Sequence, residues 1–593
     1  MALLQRAMET YESHINYTEN RDGVTPMAPV GHIVTQAHLE ITLDPDGGFV
    51  IAAAVDKTEP KIIIPVTESS AGRTSAPCAH PLCEQLGYLL PQNETKFKLY
   101  ADQLEAWADS AYSHPKLRPI LSYVKTGSIL SDLLKCDLIK TDQNGYPEND
   151  KLMIRWRVQG SMPEECWLDR TLFDAYTRYN LNGVEREAGL CMVTGEKSGI
   201  ATQHPKGVFS LNGNAKLISA NDSVGFTYRG RFTEEWQAAE VGYEVSQKAH
   251  NALRWLIQDQ AAICGGRAML CWNPQGKTVT PPTLPFRPAK PIWQPDAYRE
   301  ALRDTLYSRK RDFEISDGVV VAAFDAATTG RLAVTYYNEF QAHDFLQRLH
   351  DWDNTCCWPD RRFGIQSPSL RQIVNCAFGT QKTEKGVTKM SADDKIMSQE
   401  LQRLVACRVE RAAIGADIVK ALANRASQPQ NYDHDVWESI LFTACAVIRK
   451  YRYDRFKEEW SMALEPEKKD RSYQFGRLLA VMEKAERDTY DSSEGREPNA
   501  IRMQSVFCQR PMYAAGIIEK QLEQAYFPRL SPGIRSWYKS IIAQIMEIIS
   551  QYPQENWNAP LEDSYLMGYY LQRNALYTKH NKDTEENENE HAE

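Results

Sequence analysis

His32-Ile-Val-Thr-Gln-Ala-His-Leu-Glu-Ile-Thr-Leu43, the turn signal Asp44-Pro-Asp-Gly-Gly48 and Phe49-Val-Ile-Ala-Ala-Ala-Val55 together set the fold class. Two β-rich runs joined by Pro and Gly read as a hairpin, because proline fixes one turn dihedral and glycine accepts positive φ without a Cβ clash. Lys61–Val66 follows as a short β-branched run. Lys151–Gly160, Ala268–Pro274, Asp317–Ala326 and Arg331–Phe340 read as further strands, the last two joined by a tight Thr328-Thr329-Gly330 turn. Apolar residues at helical spacing, among them Trp236, Ala239, Val241, Ala249, Leu253, Leu256 and Ile257, predict a helix across 234–260. Six prolines between Pro274 and Pro291 exclude an element interior, so that stretch reads as a connector.

After Met390 the strand signals stop, and helical segments succeed one another over 399–426, 437–460, 473–490, 515–526, 534–551 and 561–576. The expected fold is α+β: a mixed α/β N-terminal region followed by an all-α C-terminal helical bundle. The expected division is an α+β domain over 1–270, a connector with a smaller α+β region and a basic loop over 271–390, a helical linking region over 391–461, a bundle over 462–580 and a disordered acidic tail over 581–593.

A chain of 593 residues is too long for one ordinary core. Its 42% hydrophobic and 25% charged residues are typical of soluble globular proteins, and no apolar run is long enough to span a bilayer. The first residues lack a basic stretch leading into an apolar one, so a cytoplasmic location away from membranes is expected. Thirteen cysteines at irregular spacing suggest free thiols rather than a disulfide framework. Cys78, His80 and Cys83 make half a zinc site without a matching second pair, and neither a metal nor a cofactor is expected. The net charge of −9 argues on average against phosphate binding, although the tail from Asp583 to Glu593 lowers it without touching any folded surface.

No phosphate-binding Gly-rich loop, dinucleotide fingerprint, zinc-protease or nucleophile-elbow motif is present, so the chain is not expected to be an enzyme. Asp351 and Asp353 flank Trp352 and would suit Mg²⁺, but a solvated helix end is the plainer reading. Basic segments say more. Between Gly199 and Thr233, Lys206, Lys216, Arg229 and Arg231 face the single acid Asp222 among many Asn, Ser and Gly, a composition that suits close approach to a groove as well as an ordinary surface loop. From Arg361 to Lys389, the bases Arg361, Arg362, Arg371, Lys382, Lys385 and Lys389 face only Glu384, with Phe363 and Phe378 available either for base stacking or for the core. Arg449, Lys450, Arg452, Arg455 and Lys457 fall on one helix, where a solvated face is the default.

Several of these segments carry a resemblance. Cys191-Met-Val-Thr-Gly-Glu196, His204-Pro-Lys-Gly207, Leu217-Ile-Ser-Ala-Asn221, Gly225-Phe-Thr-Tyr228, Gly72-Arg-Thr-Ser75, Phe475-Gly-Arg-Leu-Leu-Ala480 and Gly568-Tyr-Tyr-Leu-Gln-Arg573 resemble, in the same order, the large subunit of the type I-C CRISPR Cascade surveillance complex, a Csd-type CRISPR-associated protein. Asn221 and Phe226 match that family's aromatic block, whereas Arg229 departs from it.

The resemblance implies a non-catalytic subunit that recognises the protospacer-adjacent motif in duplex DNA while a guide RNA reads the sequence by pairing. It implies partners too: backbone and guide-5′-end-binding subunits, a small subunit, crRNA, target double-stranded DNA, the displaced single strand and a transiently recruited helicase-nuclease. Arg73, Thr74, Ser75, Asn212, Asn214, Lys216 and Asn221 are expected to form the motif-reading surface, with Arg229, Arg231, Arg361, Arg362, Lys382 and Lys385 as further DNA contacts. The family's small subunit arises by internal translation. Here Lys457-Glu458-Glu459 can be encoded by a purine-rich ribosome-binding sequence ahead of Met462, so a second product starting at Met462 is expected, and intact-mass measurement of the gene's products would reveal or exclude it. A metal-dependent nuclease and a protein-only scaffold are the alternatives.

Overall fold

The computed structural model describes residues 2–14, 26–56, 58, 61–73, 76–209, 211, 215–219, 232, 235–328, 330–491 and 495–590. They fall into two compact units, Met1–Val279 with Gly318–Glu339, and Thr280–Asp317 with Phe340–Glu593. The architecture is α+β, with the strands confined to the first two-thirds of the chain and helices alone after Ser391.

The opening hairpin of the first unit forms as the turn signal requires. Leu39–Leu43 pairs antiparallel with Phe49–Ala54, Asp44 Oδ1 accepts the N–H groups of Asp46 and Gly48 at 2.9 and 2.7 Å, and Gly47 takes φ +90°. Ile154–Val158 joins Leu39–Leu43 in parallel, which places Glu40 between Arg155 and Arg157; their guanidinium groups donate to it at 2.6–2.9 Å. Beneath lie the buried rings of Tyr100, Trp107, Tyr123, Trp156 and Tyr176. Lys61–Pro65 pairs with His32–Gln36 rather than extending that sheet.

A second sheet in this unit has the order Arg331–Gln341, Gly318–Thr328, Arg267–Trp272, Ala262–Cys264. Residues 318–339, although they follow the proline-rich connector, thus complete a sheet begun before it. The helices Ala2–His14 and Tyr243–Gln260 share its core through Leu4, Ala7, Tyr11, Leu253 and Leu256, and Trp272 donates its indole N–H to Thr10 Oγ1 at 3.0 Å. The helix expected over 234–260 is a short turn, Glu235–Ala239, followed by Tyr243–Gln260. The backbone breaks between them because the Val241 carbonyl accepts from Ala201 N and the Gly242 N–H donates to Cys191 Sγ.

In the second unit, the helical stretch expected over 399–426 is two helices, Asp394–Glu410 and Ala416–Ala426, parted where Arg411 turns left-handed at φ +58°. His434–Phe456, Arg471–Arg487, Pro511–Gln521, Pro532–Ser550 and Ser564–Glu590 follow. Arg471–Arg487 is buried on every side from Ser472 to Glu486. It crosses Ser564–Glu590 at reciprocal glycines: a Cβ on Gly476 would fall on the Tyr565 carbonyl, and one on Gly568 on the Tyr473 carbonyl. So close a crossing brings long polar side chains into the interior, where they must pair. Arg477 donates to Gln572 at 2.9 Å, Tyr569 donates its hydroxyl to Glu483, and Arg573 binds Glu438. Burial alone would raise the Glu438 carboxyl, but the Arg573 guanidinium holds it below the usual range.

All thirteen cysteines are unbridged. Among the described residues, no helix is long and apolar enough to cross a membrane.

Two expectations follow for stability. Gly476→Ala or Gly568→Ala should lower unfolding free energy by ~3 kcal/mol in denaturant titration, since overpacking against backbone has nowhere to relax. Gly516→Ala, whose Cβ would meet nothing within 4 Å, should leave stability unchanged or slightly higher; equal effects at the three sites would contradict the crossing. Four histidines of the first unit are buried neutral: burial lowers His32, His80 and His204 to about 4 and His250 to about 3. The unfolded chain, with imidazoles near ~6.5, therefore binds protons that the folded unit refuses. Stability is complete above that value and is lost as pH falls toward 4, so hydrogen-exchange protection factors in Arg267–Trp272, corrected for the intrinsic rate, should fall between pH 6.5 and 5, and pH-independent protection there would contradict the burial.

Candidate nucleic-acid interface

The loop from Lys206 to Lys216 is clasped at its base. Gly207, at φ +67°, donates its N–H to the Ala215 carbonyl at 3.0 Å, and Lys206 faces Lys216 across an antiparallel bridge. Lys216 is fixed in turn by the hairpin tip of the second sheet: its N–H donates to the Gly330 carbonyl at 3.1 Å and its carbonyl accepts from Leu332 at 2.9 Å. Arg331 is thereby placed beside Lys216.

This clasp concentrates positive charge. Burial and the neighbouring Lys216 ammonium both push the Lys206 ammonium below its ordinary range. Arg254, on the helix Tyr243–Gln260, holds the loop by donating to the Gly207 and Lys206 carbonyls at 3.3 and 2.9 Å and to Asn251 Oδ1 at 2.9 Å, all neutral acceptors. Its low-dielectric surroundings lower it to about 10, still charged at neutral pH. Behind it the His204 and His250 rings stack at 6.0 Å, kept neutral by burial. Among the described residues, no hydrogen bond or ion pair engages the Lys216 ammonium. Lys206, Lys216, Arg254 and Arg331 thus meet at the base of one loop.

Of the expected motif-reading residues, the structure brings Lys216 and Arg73 into this neighbourhood, because Lys206 Nζ donates to the Arg73 carbonyl at 3.3 Å. The Arg73 side chain points elsewhere. Its guanidinium makes a two-point pair with fully buried Glu84 at 2.5 and 2.7 Å, donates to the Cys78 carbonyl and stacks on Tyr88. Glu84 also accepts the His80 and Gln85 N–H groups, so Arg73 fixes the shape of the segment that follows it. His80 meets Ser70 Oγ at 2.9 Å and Cys83 is buried in the core. Thr74, Ser75, Asn212, Asn214, Asn221, Arg229 and Arg231 lie outside the described residues. Arg254 and Arg331 escaped sequence reading: Arg254 lies within an apolar helical pattern, and Arg331 is remote in sequence from the loop it meets.

The second basic segment belongs to the second unit. Arg361 donates to Asn574 Oδ1 at 2.7 Å and lies over the Tyr577 ring, while Arg362 faces Asp435 at 3.3 Å on the surface. Lys382 and Lys389 sit opposite each other in the hairpin Thr380–Glu384/Val387–Ser391, and Lys385 with Gly386 makes its turn at φ +51° and +78°. Phe363 is exposed and Phe378 half-buried.

Two readings are corrected. Arg449, Lys450 and Arg452 are buried rather than on a solvated face: Arg449 caps the Trp460, Asn354 and Thr355 carbonyls, Lys450 pairs with Asp454, and Arg452 pairs with Asp563, Glu562 and Glu458. The periodicity that gathers charges on one face does not tell which face turns inward. Asp353 likewise is not at a solvated helix end. It is buried against buried Arg408 at 2.5 Å and accepts the Phe286 N–H, while Asp351 pairs with Arg411 at 3.0 Å. Met462 is buried, with the Cys357 thiol 3.5 Å from its sulfur.

No curated protein matches the chain. The family described as CRISPR-associated protein (Cas_Csd1) matches it over residues 8–577, nearly its whole length. The motifs at 191–207 and 475–573 that carried the resemblance are the ones the fold uses for the clasped basic loop and for the glycine crossing, and the chain belongs to the Cas_Csd1 family, the Csd-type CRISPR-associated proteins of type I-C.

Proposed function

We propose that the chain is the non-catalytic large subunit of a type I-C CRISPR RNA-guided surveillance complex. In this reading the first unit recognises the protospacer-adjacent motif in duplex DNA, the second stabilises the opened strands, and the assembled subunit helps recruit a helicase-nuclease. The observation that carries it is the gathering of Lys206, Lys216, Arg254 and Arg331 at the root of a loop rich in Asn, Ser and Gly, on a chain that is acidic overall. Lysines there seat phosphate, and the Asn-, Ser- and Gly-rich sequence beside them supplies short amides of the kind that read base edges, the division of labour duplex readout requires. Family membership supports other Cas subunits as partners, and the guide RNA is part of the proposed reading. Its non-catalytic character is supported by the way Arg408 and Arg411 occupy Asp353 and Asp351, the carboxylates closest to a nuclease pair.

The test compares two substrates with the assembled complex. Lys216→Ala should weaken binding to motif-bearing duplex roughly tenfold while sparing a target whose strands are already separated at the motif, because only the closed duplex needs the loop. Equal loss on both substrates, or no loss on either, would refute the assignment.

A further inference from the structure

A cavity of about 690 Å³ opens in the second unit between the turn at Asp360–Phe363, the segment Arg287–Pro291 and the first turns of His434–Phe456. Its chemistry is layered by depth. The floor is buried, formed by Tyr570 and Phe442, and carries two polar groups. Glu438 turns Oε1 to Arg573, and Gln372 spends its Nε2 on the Ser439 and Thr443 hydroxyls at 3.4 and 3.1 Å. Among the described residues, no hydrogen bond reaches Glu438 Oε2 or Gln372 Oε1. The interior therefore offers acceptors and asks for donors.

The rim is mixed but positive in sum, with Arg287, Lys290, Arg361 and Arg362 against the carboxylates of Asp360 and Asp435. Arg287 and Lys290 are exposed on the extended segment, and Arg362 faces Asp435 only through a solvated contact that is cheap to exchange. At the lip stands Phe363, 61% exposed, an orientation that leaves a large apolar face in water. It is not loosely placed: Asp360 Oδ1 accepts the N–H groups of both Arg362 and Phe363, at 2.8 and 2.9 Å. A fixed aromatic ring beside a polar cavity with a cationic edge is a stacking platform.

Acceptors inside, cations outside and a ring at the lip fit a nucleotide with its base inward and its phosphates outward. We propose that this cavity captures one base of single-stranded DNA, a base bearing an exocyclic amino group, with Phe363 stacked on it and Lys290 and Arg287 on the flanking phosphates. Cytosine, adenine and guanine carry such an amino group, with two N–H donors; thymine has none and offers a single ring N3–H between two carbonyls. The inference deepens the proposed function and rests on it, since an opened duplex is what supplies the strand.

The test uses the full-length chain and labelled oligonucleotides of about eight residues, a length in the range of known single-strand sites. Oligo-dC should bind more tightly than oligo-dT. Phe363→Ala and Lys290→Ala should each weaken oligo-dC binding roughly tenfold, with the melting temperature unchanged because both side chains are at the surface. Equal binding of the two homopolymers, or wild-type affinity in both variants, would overturn the cavity assignment and leave motif recognition to be judged by the Lys216 comparison. Deoxycytidine monophosphate competing as strongly as the oligonucleotide would also overturn it, by pointing to a free nucleotide instead of a strand.

Discussion

Main-chain pairing of Lys206 with Lys216 forces two ammonium-bearing side chains to share one loop base, and the candidate interface depends on that constraint. Like charges that close repel, and burial of Lys206 makes the repulsion costlier. The fold tolerates the arrangement because it is anchored from three directions: by the Gly207–Ala215 hydrogen bond, by the hairpin tip at Gly330, and by Arg254, which grips the carbonyls of the loop itself. Each anchor adds charge or fixes geometry. These contacts fix the backbone from which both lysines project, so in the proposed reading phosphate would meet a loop base that is already formed.

The second unit solves a different problem. Its helix Arg471–Arg487 is surrounded, so its buried charges must find partners, Arg477 and Glu483 on a neighbouring helix and Lys484 at Asp488 on its own. The glycines at 476 and 568 bring the backbones close enough for Arg477 to reach Gln572 and for Tyr569 to reach Glu483. Geometry and charge specify each other there: the partners fit only at close approach, and the close approach would strand those charges without the partners. The same unit carries Phe363 at its surface, so a rigid interior supports a polar cavity whose rim remains open.

Much of this was legible from sequence because local physics decides it. The Asp44–Gly48 turn and most helices after Met390 follow from proline, glycine and periodicity and formed near the expected residues, the stretch 399–426 being split at Arg411. What was not legible depended on contacts between distant segments. Nothing local says that 318–339 returns to pair with Arg267–Trp272, or that Arg331 arrives beside Lys216. Charge patterning misled in the same way at Arg449–Arg452 and at Asp353, since a charged residue inside a bundle and one in solvent look alike until its partner is known. The guanidinium of Arg73, a residue expected to read the motif, is engaged by buried Glu84.

Phosphate binding by the lysine clasp is measured most directly by the salt dependence of motif-duplex binding by the assembled complex. With Lys206 and Lys216 both replaced by glutamine, the slope of log affinity against log salt should become shallower by about two, close to one for each lost phosphate contact. A slope identical to that of the unaltered complex would mean that these lysines do not meet the DNA backbone, and the interface would have to be sought elsewhere on the chain.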